Sequence, residues 1–117
     1  MTEPTTCLFC RIIAGEIPAT LVYIDEEVVA FRDVNPQAPV HVLVVPRKHL
    51  RSIAEVTPEQ NSLWARLLHV AQKVAQDEGL EQDGWRLVSN GGPNAGQTVD
   101  HLHLHVLGGR SMSWPPG

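Results

Sequence analysis

Three of the six histidines, His101, His103 and His105, stand at alternate positions near the C-terminus of the chain. Successive side chains of a β-strand point to opposite faces, so in a strand these imidazoles share one face while Leu102 and Leu104 share the other. The apolar face can pack on a helix. Imidazoles buried in hydrocarbon are costly unless each ring is hydrogen-bonded, so this row of rings needs polar partners.

The spacing of the row limits what its members can do together. Rings at positions i and i+2 of a strand lie about 6.6 Å apart, and the outer two rings about 13 Å apart. Two adjacent imidazoles can therefore share one ion or substrate group, but His101 and His105 are too far apart to do so. We expect the row to serve two different tasks.

One of these tasks fits covalent catalysis at phosphorus. A neutral imidazole can attack near pH 7 without first losing a proton, provided that its second ring nitrogen is held as a donor. Neighbouring imidazoles can then donate to phosphate oxygens or to the leaving group. The glycine-rich residues 91–96 and Thr98 precede the row. Because glycines let backbone N–H groups approach phosphate oxygens closely, the sequence predicts a phosphate site here.

Two cysteines, Cys7 and Cys10, have the spacing of a zinc knuckle, which needs two further ligands for a tetrahedral site. His49 and His101 are available partners. A redox couple is an alternative, but that motif usually follows a strand in a βαβ unit, which we do not expect here. A pair of buried thiols without a ligand is the third interpretation.

Composition excludes several classes of protein. The chain has 117 residues and a formal net charge of −4, and its longest basic run is Arg47-Lys48. It is long enough for one ordinary domain, and we expect no binding to nucleic acid. No stretch approaches the roughly 18 apolar residues of a membrane helix, and no secretory signal is apparent, so we expect a cytoplasmic protein.

Local patterns predict an α+β domain with a mainly antiparallel five-stranded sheet, one short helix and one long helix. The first six residues are expected to be flexible. Thr57, Pro58 and Gln60 are typical of a helix start, and Gly79 of a helix end. The expected helices cover 7–14 and 57–79, and the expected strands cover 21–24, 28–31, 41–45, 85–90 and 98–107.

Residues 101–107, His-Leu-His-Leu-His-Val-Leu, resemble the pattern of alternating histidines that defines the histidine triad superfamily. Similarity to its nucleotide-binding branch extends over most of the chain, at 9–13, 16–19, 31–33, 36–41, 46–49, 96–98 and 114–117. Gly108-Gly109-Arg110 and the tail with Trp114 favour this branch over the dinucleoside polyphosphate hydrolases of the superfamily. The resemblance implies one HIT-like domain over 7–117, including a C-terminal tail over 110–117.

This resemblance implies hydrolysis of purine nucleoside 5′-phosphoramidates, of the adenosine phosphoramidate type, through a covalent nucleotidyl-histidine intermediate. His103 matches the nucleophile, while His105, His41 and Thr98 match residues near the phosphate and the leaving group. Asp33 matches the carboxylate that accepts the ribose hydroxyls. The remaining matches are the purine walls Phe9, Ile17, Phe31 and Val34 and the phosphate-pocket positions Asn90, Gly96 and Gln97.

The resemblance also implies a metal and a partner. Some bacterial members bind zinc in the manner that Cys7, Cys10, His49 and His101 would allow, so we expect a structural zinc and no metal requirement for catalysis. Relatives form homodimers in which two sheets become continuous and the tail, here with Trp114, reaches toward the partner's pocket. The alternative for this tail is packing on its own domain.

Three other functions remain open at this point. The chain could be a dinucleoside polyphosphate hydrolase, a zinc-dependent hydrolase with a metal on the histidine row, or a nucleotide-binding scaffold without activity. Thr98 stands where many relatives carry serine, and its rotamers are stiffer, so the preference for the leaving group is not fixed by the resemblance. His69 has no counterpart in the pattern and is expected to be structural or exposed.

Overall fold

A computed structural model describes residues 6–117 of the chain. The expected flexible segment, 1–6, therefore lies outside the described residues except for Thr6. Five strands and two helices are formed. In chain order they are α1 (Leu8–Ile13), β1 (Leu21–Ile24), β2 (Val28–Arg32), β3 (Val40–Pro46), α2 (Asn61–Asp77), β4 (Trp85–Val88) and β5 (Leu104–Gly108).

All five strands form one antiparallel sheet in the order β1-β2-β3-β5-β4. Strands β3 and β5 pair with each other, so residues that are far apart in the sequence become neighbours there. His41 lies opposite Leu107, and Leu43 lies opposite His105. This confirms the predicted α+β class with its five-stranded sheet and its one short and one long helix.

Alternation along the strands divides the sheet into two different faces. Leu102, Leu104 and Val106 belong to the core between the sheet and α2, as the pattern predicts. The opposite face packs against α1, and its buried residues include Phe9 and Phe31. None of the helices within residues 6–117 is long and apolar enough to cross a membrane.

The long helix begins four residues later than predicted, at Asn61, and ends at Asp77, two residues before Gly79. Pro58–Gln60 form a short 3-10 turn before α2 begins at Asn61. The predicted capping interaction is present, since the Thr57 N–H donates to Gln60 Oε1 at 2.9 Å. At the other end Gly79 takes a φ of +73°, and the Leu80 N–H closes the last turn.

The predicted fifth strand over 98–107 is wrong in its first half, because β5 begins only at Leu104. The main chain before it bonds to loops instead of to a neighbouring strand. The His101 N–H donates to Val99 O at 2.9 Å, and the Leu102 N–H donates to Leu50 O at 2.7 Å. The predicted fourth strand over 85–90 ends early for a related reason, since the Ser89 hydroxyl donates to His103 O at 2.8 Å.

Gly108, in β5, leaves no room for a side chain. A Cβ there would lie 2.6 Å from Leu80 Cδ1 and 2.7 Å from Leu80 Cδ2, and Leu80 is part of the core under α2. We expect Gly108→Ala to lower the free energy of unfolding by about 1–3 kcal/mol, as overpacking does. Urea denaturation of the wild type and the variant measures the loss.

The matched control for this prediction is the same substitution in a Leu80→Ala background. Leu80→Ala alone costs stability through a cavity, but it removes the atoms that the added Cβ would meet. The further loss caused by Gly108→Ala should therefore be smaller in this background. An equal loss in both backgrounds would show that the close approach is not its cause.

Candidate functional site

A cavity of about 550 Å³ lies on the face of the sheet that packs against α1. It brings together side chains that are distant in sequence, from α1, from the end of β2, from β3 and from β5. The predicted site residues that line it are Phe9, Ile17, Phe31, Asp33, Val34, His41, Thr98, His103 and His105. Leu8, Ile12, Leu43 and Val99 also line it and were not singled out from the sequence, because they read as ordinary core residues.

One hydrogen bond determines which nitrogen of His103 carries the proton. His103 Nδ1 lies 2.6 Å from the main-chain oxygen of His101. Since a carbonyl oxygen can only accept, Nδ1 is the donor, and the lone pair of the neutral ring is therefore at Nε2. This is the arrangement that nucleophilic attack requires. Burial lowers the pKa of His103 and so favours its neutral form.

The same reasoning assigns the protons of His41 and His105. The Gln37 N–H donates to His41 Nδ1 at 3.0 Å, so His41 carries its proton on Nε2. That Nε2–H donates to His105 Nδ1 at 2.9 Å, so His105 carries its proton on Nε2. His105 Nε2 is buried and has no hydrogen-bond partner within residues 6–117. It is therefore a donor available to an acceptor that enters the cavity.

Burial is the main influence on the charge of these rings. It lowers the pKa of His41, where the Asp33 carboxylate opposes the effect. Burial, together with the neighbouring His103 and His41, lowers the pKa of His105 to about 4. The rings that line the cavity are thus neutral at pH 7. They act there as directional donors and acceptors, not as cations.

The rest of the cavity has an apolar wall and a carboxylate at its rim. Phe9 and Phe31 are buried and meet edge to face, with ring centroids 5.3 Å apart. Asp33 lies beyond the end of β2, where one of its carboxylate oxygens accepts the Asn35 N–H at 2.8 Å. The other oxygen is 3.5 Å from His41 Nε2. The cavity can hold a flat apolar group beside a polar group that carries hydroxyls.

Four predicted site residues do not line this cavity within the described chain: Asn90, Gly96, Gln97 and Trp114. Gln97 instead holds the glycine-rich loop together, since its amide accepts the Gly92 N–H and donates to Arg51 O and Val99 O. Trp114 is 82% exposed, so its ring does not pack on its own domain. The roles expected for these residues stay predictions.

A second group of side chains lies beside the cavity, at the first turn of α1. We call it the thiol–imidazole cluster, and it comprises Cys7, Cys10, His49 and His101, with one potential ligand atom from each residue within 4.8 Å of the others. His101 Nε2 donates to Pro46 O at 2.8 Å, so its lone pair is at Nδ1. That Nδ1 lies 3.4 Å from Cys7 Sγ and 3.5 Å from Cys10 Sγ.

The dimensions of the cluster fit a tetrahedral zinc ion. Zn–S and Zn–N distances of about 2.3 Å and 2.0 Å place sulfur and nitrogen ligands about 3.5 Å apart. The two sulfur–nitrogen distances of His101 match this spacing, and Cys10 Sγ lies 3.2 Å from His49 Nδ1. Burial and the hydrogen bond with Cys7 raise the pKa of Cys10 to about 12, so its thiol keeps the proton unless a cation displaces it.

A second set of potential ligands lies within the cavity itself, at Asp33, His41 and His105. It fits a metal less well than the thiol–imidazole cluster does. The Nε2 of His41 and the Nδ1 of His105 are joined by their own hydrogen bond, so a cation there would have to break it. This set also lacks thiolates, the ligands typical of structural zinc.

Main-chain groups that orient the site could not be found from the sequence. The Gln37 N–H and the carbonyls of Pro46 and His101 assign three imidazole tautomers between them. Every residue carries such groups, so no residue type marks the ones that matter. The only local signal is the turn-forming character of residues 35–39, which contain two prolines.

The chain is similar to a known protein family and to several known proteins. The family model described as the HIT domain matches residues 14–112. An uncharacterized HIT-like protein of Synechocystis is 55% identical over 117 residues, which is 100% of both chains. A 14 kDa zinc-binding protein of Zea mays is 51% identical, and the match covers 98% of this chain and 91% of that protein.

Solved structures with the same fold include two close matches. A HIT family hydrolase of Legionella pneumophila has 53% sequence identity and a TM-score of 0.94, covering 96% of this chain and 100% of that one. A histidine triad protein of Clostridium difficile has 42% identity and a TM-score of 0.91, covering 96% and 97% of the two chains.

Proposed function

Because the chain belongs to the HIT domain family, we propose that it is a hydrolase that cleaves the P–N bond of purine nucleoside 5′-phosphoramidates. The nucleotidyl group is transferred first to His103 and then to water. The observation that carries this proposal is the 2.6 Å hydrogen bond from His103 Nδ1 to the His101 carbonyl. It leaves a neutral imidazole with its lone pair at Nε2, beside a buried donor on His105 that has no described partner.

The reaction takes two displacements at phosphorus. In the first, the Nε2 lone pair of His103 forms the P–N bond to the ring while the bond to the amine breaks. The amine takes that electron pair and a proton from solvent. In the second, water attacks phosphorus, the electron pair returns to Nε2, and the proton of the water goes to solvent. The products are the nucleoside monophosphate and the amine, with one water consumed.

Phosphate oxygens gain charge density in both steps, and the cavity offers donors for them. The Nε2–H of His105 is buried, and its direction is fixed by the bond that its Nδ1 accepts from His41. The hydroxyl of Thr98, which also lines the cavity, is a second donor. Donors that are fixed before the reaction and shielded from water stabilise such charge more than mobile water does.

The remaining walls support a purine nucleotide as the substrate. Phe9, Ile17, Phe31 and Val34 offer apolar surface to a flat base. Asp33 lies at the rim, where its carboxylate could accept the two ribose hydroxyls. Charge-assisted hydrogen bonds of this kind orient a substrate strongly, which would place its phosphorus toward the histidines.

Replacing the nucleophile provides the main test. We expect His103→Ala to lower kcat for adenosine 5′-phosphoramidate by about 10³-fold or more, because no other group of the cavity can form the covalent intermediate. Release of AMP measures the rate. The matched control is His69→Ala, since His69 is exposed on α2 and its one described hydrogen bond is with Gln72.

Each alternative function gives a different result in the same assay. Near-normal turnover by His103→Ala would rule out the covalent mechanism. Faster turnover of diadenosine polyphosphates than of phosphoramidates would favour the dinucleotide activity. Loss of wild-type activity on chelation, together with a metal on Asp33, His41 and His105, would favour a zinc hydrolase. Nucleotide binding without any turnover would indicate a scaffold.

We also propose that the thiol–imidazole cluster holds a structural zinc ion. The cluster's sulfur–nitrogen distances support it, and so does the similarity to the zinc-binding protein of Zea mays. Cys7, Cys10, His49 and His101 would be the four ligands, which leaves no open position for substrate. Such an ion would cross-link α1 to the residues that follow β3 and to those that precede β5, and the reaction would not need it as a Lewis acid.

Metal content tests this proposal directly. We expect about one zinc per wild-type chain, and loss of the metal with Cys10→Ala, since three ligands do not complete a tetrahedral site. The control is Asp33→Asn, which removes a potential ligand from the cavity and leaves the cluster intact. Zinc that is retained by Cys10→Ala and lost by Asp33→Asn would place the ion in the cavity instead.

A homodimer is the third part of the proposal, with the tail of each chain near the partner's cavity. Among the described strands, β4, like β1 at the other edge of the sheet, pairs on one side only, and Leu87 on it is exposed. An open strand edge is a ready template for pairing with another chain. Trp114, far more exposed than a tryptophan usually is, gives the tail an apolar group that a partner could cover.

Sedimentation tests the dimer, and a truncation tests the tail. We expect a dimer at micromolar concentration, both for the full chain and after deletion of 112–117, because the strand edge remains. The truncated protein should show a changed ratio of rates for two phosphoramidates that differ in their amine. A monomeric wild type would contradict the pairing, and an unchanged ratio would contradict the contact between the tail and the cavity.

A further inference from the structure

We propose that the thiol–imidazole cluster controls the tautomer and the orientation of the nucleophile, so that metal bound at the cluster sets the rate of the chemical step. This inference rests on the proposed role of His103. The cluster then acts on the reaction through positioning alone, since none of its four side chains lines the cavity. His101 is the residue through which the effect passes.

His101 belongs to both sites at once. Its ring is fully buried and is fixed on two sides, by Pro46 O at Nε2 and by the two cysteine sulfurs at Nδ1. Its main-chain oxygen accepts the proton of His103 Nδ1 at 2.6 Å. Ring and carbonyl are attached to the same Cα, so a ring that is released from the cluster no longer restrains the carbonyl on which His103 depends.

The peptide unit between His101 and Leu102 links the two sites a second time. Its oxygen holds His103, and its N–H donates to Leu50 O at 2.7 Å, so the two bonds are made by one rigid plane. Leu50 directly follows His49, which contributes to the cluster. The ring of His49 also packs edge to face on the ring of His101, with centroids 5.0 Å apart. His49 therefore holds this plane through both its side chain and its neighbour's carbonyl.

A third link runs through α1. Phe9 lies between the two cysteines in the sequence, and its ring meets His103 edge to face at 5.1 Å and His101 at 5.9 Å. When both cysteines bind one ion, the first turn of α1 is fixed relative to His101. This places the Phe9 ring against the nucleophile and limits the rotation of the imidazole.

These contacts predict what the loss of the metal would do. Without a firmly placed carbonyl, nothing favours Nδ1–H over Nε2–H in a neutral imidazole, and the Nε2–H form has no lone pair with which to attack. Part of the protein would then be inactive at any moment. The binding of the nucleotide would change less than the chemical step, because Asp33 has no described bond to the cluster and only the Phe9 part of the apolar wall depends on it.

His49 is the best position for a test, because it is the cluster residue with no contact to His103 or to Phe9 among the described interactions. His49→Ala removes a ligand, whereas His49→Cys supplies another that zinc accepts. For each variant we would measure zinc content, kcat and KM for adenosine 5′-phosphoramidate, and the His103 tautomer by ¹⁵N long-range NMR. The tautomer is read without substrate, and therefore independently of activity.

We expect His49→Ala to lose zinc, to show Nε2–H signal at His103, and to lose about 10–100-fold in kcat, with KM changed less than kcat. His49→Cys should restore all three. Wild-type protein stripped of metal and titrated with Zn²⁺ serves as a second arm that needs no variant to fold, and the Nδ1–H form of His103 should rise with zinc occupancy.

Three results would overturn the inference. The first is a metal-free protein in which His103 is entirely in its Nδ1–H form. The second is a kcat that does not change with zinc occupancy. The third is a wild-type protein that binds no zinc. Failure of the proposed function looks different: the wild type would not hydrolyse phosphoramidates, while the His103 tautomer would still respond to Zn²⁺.

Discussion

The arrangement of the imidazoles, and the chemistry proposed for them, depends on a single hydrogen bond between two residues two positions apart, from the ring of His103 to the carbonyl of His101. A neutral imidazole has one donor and one acceptor, and this bond decides which nitrogen is which. It forms only because the chain bends at His101 and does not continue as a strand. The irregular stretch before β5 is therefore a requirement of the site, and the hydrogen bonds from Leu102 to Leu50 and from Ser89 to His103 O maintain it.

Burial and direction act together in the cavity. The low pKa values that burial imposes on His41, His103 and His105 keep these rings uncharged, so each one can accept at one nitrogen and donate at the other. The Gln37 N–H donates to His41, and His41 donates to His105. The last proton of this chain, on His105 Nε2, has no described partner. A site that was more open to water would lose both properties, because its imidazoles could protonate and its last donor would be hydrated.

Much of this arrangement could be predicted from the sequence, because alternation and spacing are local. The separation of Leu102 and Leu104 from the histidines follows from the period of an extended chain, and the Cys-x-x-Cys spacing indicated the cluster beside the cavity. The strand over 98–103 was predicted wrongly, since the Leu102 N–H donates to Leu50 O, and a bond between residues so far apart in the sequence leaves no local pattern. A main-chain donor such as the Gln37 N–H also leaves no signal in the sequence, because every residue except proline carries one.

The two faces of the sheet draw their residues from the same short stretch of chain. Leu102, Leu104 and Val106 stabilise the core under α2, while His101, His103 and His105 serve the opposite side. Inserting or deleting one residue within 101–106 would exchange the two sets, sending imidazoles into hydrocarbon and leucines into the cavity. A point substitution here alters one side chain, whereas a change of length moves every side chain of the stretch. The exposed turn at 81–84 is free of this coupling, so variation in length belongs there.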